Sequence, residues 1–213
     1  MTRHADARLW TLCIFLLVRH GATRWCQVEN VKADVYGNFS YAGAWRLDGC
    51  TTLSLDHGMC GEQDCPWRTK FGDEAIIELA DALHGNKQLT ALSIASNQLT
   101  DEGAIAIAEA LRHNDALSDL NLNDNQVGDT GALALADVLG ENDVLTMLSL
   151  SYNELTDVGG RVLLGVLKSN ASALEVLHLD NNPVSTGLIA EAEEESRLAF
   201  VPPETDSPTR DEL

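Results

Sequence analysis

The chain has 213 residues, 45% of them apolar, and a formal net charge of −19 at pH 7. That is length and apolar content enough for one folded domain. The charge is lopsided: residues 1–70 hold 8 Lys/Arg and 7 Asp/Glu, whereas residues 71–213 hold 6 and 26. The acidic part argues against nucleic acid as a partner, because phosphates are repelled, and no stretch is long and apolar enough to span a bilayer. It suits either a protein partner with a basic surface, met by electrostatic steering, or solubility alone.

At the N-terminus a mildly basic start precedes Leu9–Val18, an apolar run of signal-peptide length. Arg19-His20 comes immediately after it, where a small-residue cleavage region belongs. The cytosol is therefore expected, with the endoplasmic reticulum lumen as the alternative. The alternative draws on Arg210-Asp-Glu-Leu213, which resembles the Lys-Asp-Glu-Leu retrieval signal, and on glycan acceptors at Asn38 and Asn170.

Leu16-Leu-Val18-Arg19-His20-Gly21-Ala22-Thr23 resembles the opening motif of the histidine phosphatase and phosphoglycerate mutase superfamily. The resemblance implies His20 as phosphoryl acceptor, with Arg19 and Arg24 on the phosphate. The chain departs from that family in three ways. Cys26 stands where the family has asparagine, His57-Gly58 is only a loose counterpart of its second catalytic histidine, and the family's α/β domain is missing downstream. Phosphoryl transfer through His20 stays as the competing reading.

All five cysteines and all four tryptophans precede residue 71. Cys50, His57, Cys60 and Cys65 are soft ligands within 16 residues, but their spacing lacks a C-x2-C pair. No metal and no cofactor are expected. In the cytosol the thiols are expected to stay reduced; in an oxidising lumen two of them could pair. Trp10, Trp25, Trp45 and Trp67 are expected to pack a small cap over the open end of the downstream domain.

From Leu89 the chain repeats itself. Leu89-Thr-Ala-Leu92-Ser-Ile94-Ala-Ser-Asn97 recurs from Leu117 to Asn125, from Leu145 to Asn153 and from Leu174 to Asn182, at spacings of 28, 28 and 29 residues. A fixed period of this size means one supersecondary unit stacked on copies of itself. Within a unit, Leu120 and Leu122 alternate with Asp119, Asn121 and Asn123, which is a strand with one buried face. Then Ala104, Ile107, Ala108 and Leu111 recur at helical spacing, as do Ala132, Leu135, Ala136 and Leu139. An Asp or Thr in the turn before each helix can accept from free N–H groups of its first turn. Strands are expected to start near Leu89, Leu117, Leu145 and Leu174, and helices near Asp73, Asp101, Asp129 and Asp157. Upstream, Cys50-Thr-Thr-Leu53-Ser-Leu55 reads as the strand of a worn first repeat, with an insertion of about 11 residues after it.

Parallel strands about 4.8 Å apart against helices about 10–12 Å wide must curve. The fold class is therefore α/β, a right-handed curved solenoid with parallel strands concave and helices convex. Asn97, Asn125, Asn153 and Asn182 end the strands at sharp turns, where an amide side chain can satisfy backbone of its own and the next turn. Residues 1–70 read as an N-terminal cap or poorly defined segment and 71–198 as the repeats, closed by the polar helix after Leu188. Residues 199–213 read as a disordered tail.

The pattern L-x-x-L-x-L-x-x-N-x-[LV]-x-D-x-G-A resembles the leucine-rich repeat, and its 28-residue helical form the ribonuclease-inhibitor type. Asn97-Gln-Leu99-Thr-Asp101-Glu-Gly103-Ala104 and Asn125-Gln-Val127-Gly-Asp129-Thr-Gly131-Ala132 carry it most closely. The resemblance implies a non-catalytic, mostly intracellular, protein-binding horseshoe. Strand parity puts Ala91, Ser93, Ala95, Asp119, Asn121, Asn123, Met147, Ser149, Ser151, Val176, His178 and Asp180 on the concave face. Tyr152 and Asp124 lie at its rim. The binding set is expected to run from Asp119 to Asp180, with Tyr152 and Met147 as anchors and a monomer as the working unit.

Overall fold

The computed structural model describes residues 31–33, 39–41, 47, 50–56, 71–169 and 172–193. The N-terminal apolar run, the Arg19-His20 motif, the four tryptophans and the C-terminal tail lie outside them. Two short strands, β1 (Val31–Ala33) and β2 (Phe39–Tyr41), pair antiparallel. Five more form one sheet in chain order: β3 (Thr52–Ser54), β4 (Ala91–Ser93), β5 (Asp119–Asn121), β6 (Met147–Ser149) and β7 (Val176–His178). Every pairing in it is parallel. Helices α1 (Gly72–Leu83), α2 (Asp101–Leu111), α3 (Asp129–Leu139), α4 (Asp157–Lys168) and α5 (Thr186–Glu193) alternate with the strands. The result is the expected curved α/β solenoid, and its first strand is the worn Cys50–Leu55 segment.

The core is a leucine stack. Leu53, Leu92, Leu120, Leu148 and Leu177 are register partners across the five strands, and all are buried. Against them lie the inner helix residues Ile76, Leu79, Ile107, Leu111, Leu135, Leu139, Leu163 and Leu167. Full burial of each such side chain stabilises by roughly 1.5–3 kcal/mol. Cys50 is also buried, and it is disulfide-bonded rather than reduced.

The strands start two residues later than expected, and the reason is a second row of asparagines. The N–H groups of Leu89, Leu117 and Leu145 donate to Asn86, Asn114 and Asn142, each at 2.8 Å, so these leucines belong to the turn. The Asn114 and Asn142 amides donate to carbonyls of the preceding repeat, Leu83 and Leu111. The expected row, Asn97 to Asn182, works at the other end of each strand and reaches backward, not forward. Asn125 Oδ1 accepts from Asn97 N and Leu99 N, while its Nδ2 donates to Ile94 O and Leu122 O.

The aspartates also differ from expectation. Thr100 and Thr156 cap their own helices, accepting from Glu102 N and Val158 N. Asp73, Asp101 and Asp129 instead reach across the repeat boundary to cap the next helix. Asp101 Oδ1 accepts from Gly128 N at 2.7 Å and Gly131 N at 2.9 Å. Asp73 makes the same pair with Thr100 and Gly103, and Asp129 with Thr156 and Gly159. The glycine permits that approach, because a Cβ at Gly131 would stand 2.9 Å from Asp101 Oδ1 and 2.8 Å from Val127. At the last boundary Leu188 replaces the glycine. Asp157 keeps its bonds to Ser185, whereas the Leu188 N–H turns to Ser185 itself. Leu188 is buried, its Cδ2 lying 2.5 Å from where a Cβ on Gly160 would stand.

Candidate protein-binding surface

The alternate strand residues face away from the helices, as their half-buried state shows on either side of each central leucine. A continuous hydrogen-bonded string crosses this concave face. Asp56 accepts from the Ser93 hydroxyl and, at 2.8 Å, from Ala95 N. Asn121 donates to Ser93 Oγ at 2.9 Å and accepts from Asn123 N at 3.0 Å. Asn123 Oδ1 takes the Ser151 N–H at 2.8 Å, and the Ser151 hydroxyl donates to Asp180 at 3.0 Å. The string fixes these side chains before any partner arrives.

Burial divides the expected binding set. Asp119, Asn121, Asn123, Met147, Val176 and His178 are half-buried and reachable. Ser149, Ser151 and Asp180 are 7–8% exposed, which makes them supports rather than contacts. The four asparagines of the expected structural row hold turns together; Asn97, Asn125 and Asn153 are buried and Asn182 is half-buried.

The rim is built by a backbone feature that the repeat pattern does not announce. Ser96, Asp124, Tyr152 and Asn181, each just before a ladder asparagine, have φ of 62°, 54°, 57° and 56°. Aspartate and asparagine visit this left-handed region, since their short polar groups can bond locally, and Ser96 Oγ donates across the repeat boundary to Asp124 Oδ2 at 2.6 Å. Tyrosine does not share that advantage. Yet Tyr152 sits there with 60% of its surface exposed.

Charge on the ladder is set by its hydrogen bonds. Burial opposes ionisation of Asp129, but the Thr156 hydroxyl and the N–H groups of Thr156 and Gly159 outweigh it and hold its pKa below the ordinary value. The Ser185 N–H and hydroxyl, helped by Arg161, lower that of Asp157. Among the described residues no three His, Cys, Asp or Glu side chains are placed to hold a metal ion, and no helix is long and apolar enough to cross a membrane.

The leucine-rich-repeat family model matches three consecutive stretches, residues 85–108, 111–136 and 141–164. These coincide with the strand, turn and helix units described above. Over those stretches the solenoid is built of leucine-rich repeats. Among solved structures it is similar to leiomodin-1 actin-binding site 2 (ABS2), with a TM-score of 0.54 and 22% identity over 68% of this chain and 77% of that one. At that identity the likeness is one of fold. No curated protein matches the chain. The resemblance of the Arg19-His20 stretch to phosphatases finds no counterpart in these matches.

Proposed function

We propose that the leucine-rich repeats form a non-catalytic protein-binding module, which engages its partner through the concave face and the turn rim with Tyr152 as the anchor. The observation that carries this is Tyr152 itself, a bulky aromatic held at φ 57° and 60% exposed where the equivalent residues are Ser, Asp and Asn. Such a conformation costs energy at a turn, and large exposed aromatics are what interfaces use as anchors. Met147, Val176 and His178 supply neighbouring contact area. Asp119 and Asp124 give the face the sign that a basic protein surface complements. A monomer is the proposed working unit, which mutual repulsion at a net charge of −19 favours.

The structural neighbour named for an actin-binding site supports a protein partner and makes actin the first one to assay. The test is proximity labelling in the native cell, with partner recovery compared between wild type, Tyr152→Asn and Asp119→Lys, and with actin co-sedimentation as a defined arm. Recovery unchanged in both variants would move the site elsewhere. Phosphoryl transfer is tested separately, by phosphate-ester hydrolysis in wild type and His20→Ala. Activity abolished by that change would overturn the non-catalytic reading.

The cytosol stays the proposed location, with the endoplasmic reticulum lumen as the alternative that a disulfide at Cys50 would suit. N-terminal sequencing of the mature protein, with glycan analysis at Asn38 and Asn170, distinguishes the two.

A further inference from the structure

The helix side of the array carries a second surface, remote from the concave face. Ile77, Ile105 and Leu133 occupy the same position on α1, α2 and α3, 28 residues apart, and are 40%, 37% and 45% exposed. Half-buried Ala106 and Ala134 lie beside them, and Arg161 ends the row on α4. The row runs across the three helices, and acid lines both of its sides. Glu74 and Glu102, one turn toward the helix N-termini, are exposed. So are Asp81, Glu109 and Asp137, one turn toward the C-termini. Arg112 binds Glu109, Asp137 and Glu141 at 3.5, 2.9 and 3.0 Å, and one cation against three carboxylates leaves that rim acidic.

We infer that this ridge docks an amphipathic helix with basic flanks, from a protein partner. Packed helices lie about 8–10 Å apart, so the three apolar side chains are spaced by that distance. Seven residues of a helix at 1.5 Å rise span about 10.5 Å, so apolar residues at i, i+7 and i+14 of one helix meet all three. Lysine or arginine on either side of that stripe faces the two acidic rims. Like charge disfavours a second copy of this chain as occupant. It disfavours an anionic membrane on the same ground.

The test uses the full chain and two synthetic helical peptides of about 18 residues. Both carry Leu at i, i+7 and i+14, one with Lys flanks and one with Glu flanks. Fluorescence anisotropy is expected to show the Lys peptide binding wild type at least ~10-fold tighter than the Glu peptide, and more weakly as salt rises. Ile105→Gln with Leu133→Gln is expected to weaken it by ~10-fold or more, with the melting temperature nearly unchanged because both side chains are exposed. Glu74→Lys with Glu102→Lys reduces the preference between the peptides, and Tyr152→Asn leaves it alone. Failure of wild type to bind, equal binding of the two peptides, or binding untouched by the ridge variants would overturn the proposal. So would loss on Tyr152→Asn, which would assign the peptide to the concave face. A dimer in sedimentation that Ile105→Gln dissolves would replace the partner helix with a second copy.

Discussion

Asp129 and Gly159 meet across a repeat boundary. The Gly159 N–H donates to Asp129 Oδ1 at 2.9 Å, and a Cβ on Gly159 would stand 2.7 Å from that same oxygen. Gly165, two turns further along α4, has nothing within 4 Å of an added Cβ. The two glycines share a helix and differ only in what they face. Gly159→Ala is expected to destabilise by about 1–3 kcal/mol, as overpacking does. Gly165→Ala is expected to stabilise by about 0.5–1 kcal/mol through helix propensity. Urea denaturation of the two variants checks the sign of each, and equal shifts would show that the aspartate contact imposes no steric limit.

The same carboxylate gives a pH signature. Its folded pKa lies below the ordinary carboxylate value because three donors outweigh burial. The stabilisation is therefore complete above the unfolded pKa of about 4 and is lost as pH falls through the lower folded value. Asp129→Asn removes this dependence. The stability gap between wild type and variant is expected to be widest at neutral pH and to shrink below about pH 4. A gap constant from neutral to acid pH would mean that the bonds do not depend on ionisation.

A sequence period shows some of these features and hides others. Leu92, Leu120, Leu148 and Leu177 are legible because each is both buried and periodic, and the change from alternation to helical spacing places strands and helices. Periodicity also exposes the aspartates and glycines, but not that Asp129 meets Gly159 of the following repeat. Residues 30 positions apart are neighbours only once the array closes. The asparagines at 86, 114 and 142 are equally periodic, yet variable neighbours hide them, and with them the reason why strands start at Ala91 rather than Leu89. On the candidate surface, strand parity tells which residues lie opposite the leucine stack. It does not give depth, which is why Ser149, Ser151 and Asp180 are supports, and it does not show that Tyr152 holds a left-handed backbone.

The asparagine row predicts a sharp contrast between neighbours. Asn125 is 8% exposed and joins two turns through both ends of its amide. Asn125→Ala leaves the N–H groups of Asn97 and Leu99 without their partner inside the protein, at about 1–3 kcal/mol each. The total is expected to exceed about 3 kcal/mol. The adjacent Gln126 is exposed, and Gln126→Ala is expected to stay within about 0.5 kcal/mol of wild type. Chemical denaturation measures both. Near-equal effects would mean that water replaces the asparagine.

Tyr152 separates stability from binding. A non-glycine residue in the left-handed region costs roughly 1–2 kcal/mol, and asparagine is among the residues that visit it routinely. Tyr152 recovers little of that cost from burial, being 60% exposed, and its N–H bond to Asp180 O at 2.8 Å belongs to the backbone and survives substitution. Tyr152→Asn is therefore expected to leave stability unchanged or raise it by up to about 1 kcal/mol, while partner recovery falls. On the proposed function, Tyr152 serves a contact outside the fold rather than one within it. Thermal melting and partner recovery on the same variant decide the matter. A drop in stability of more than about 1 kcal/mol would make Tyr152 a structural residue and remove the anchor from the concave rim.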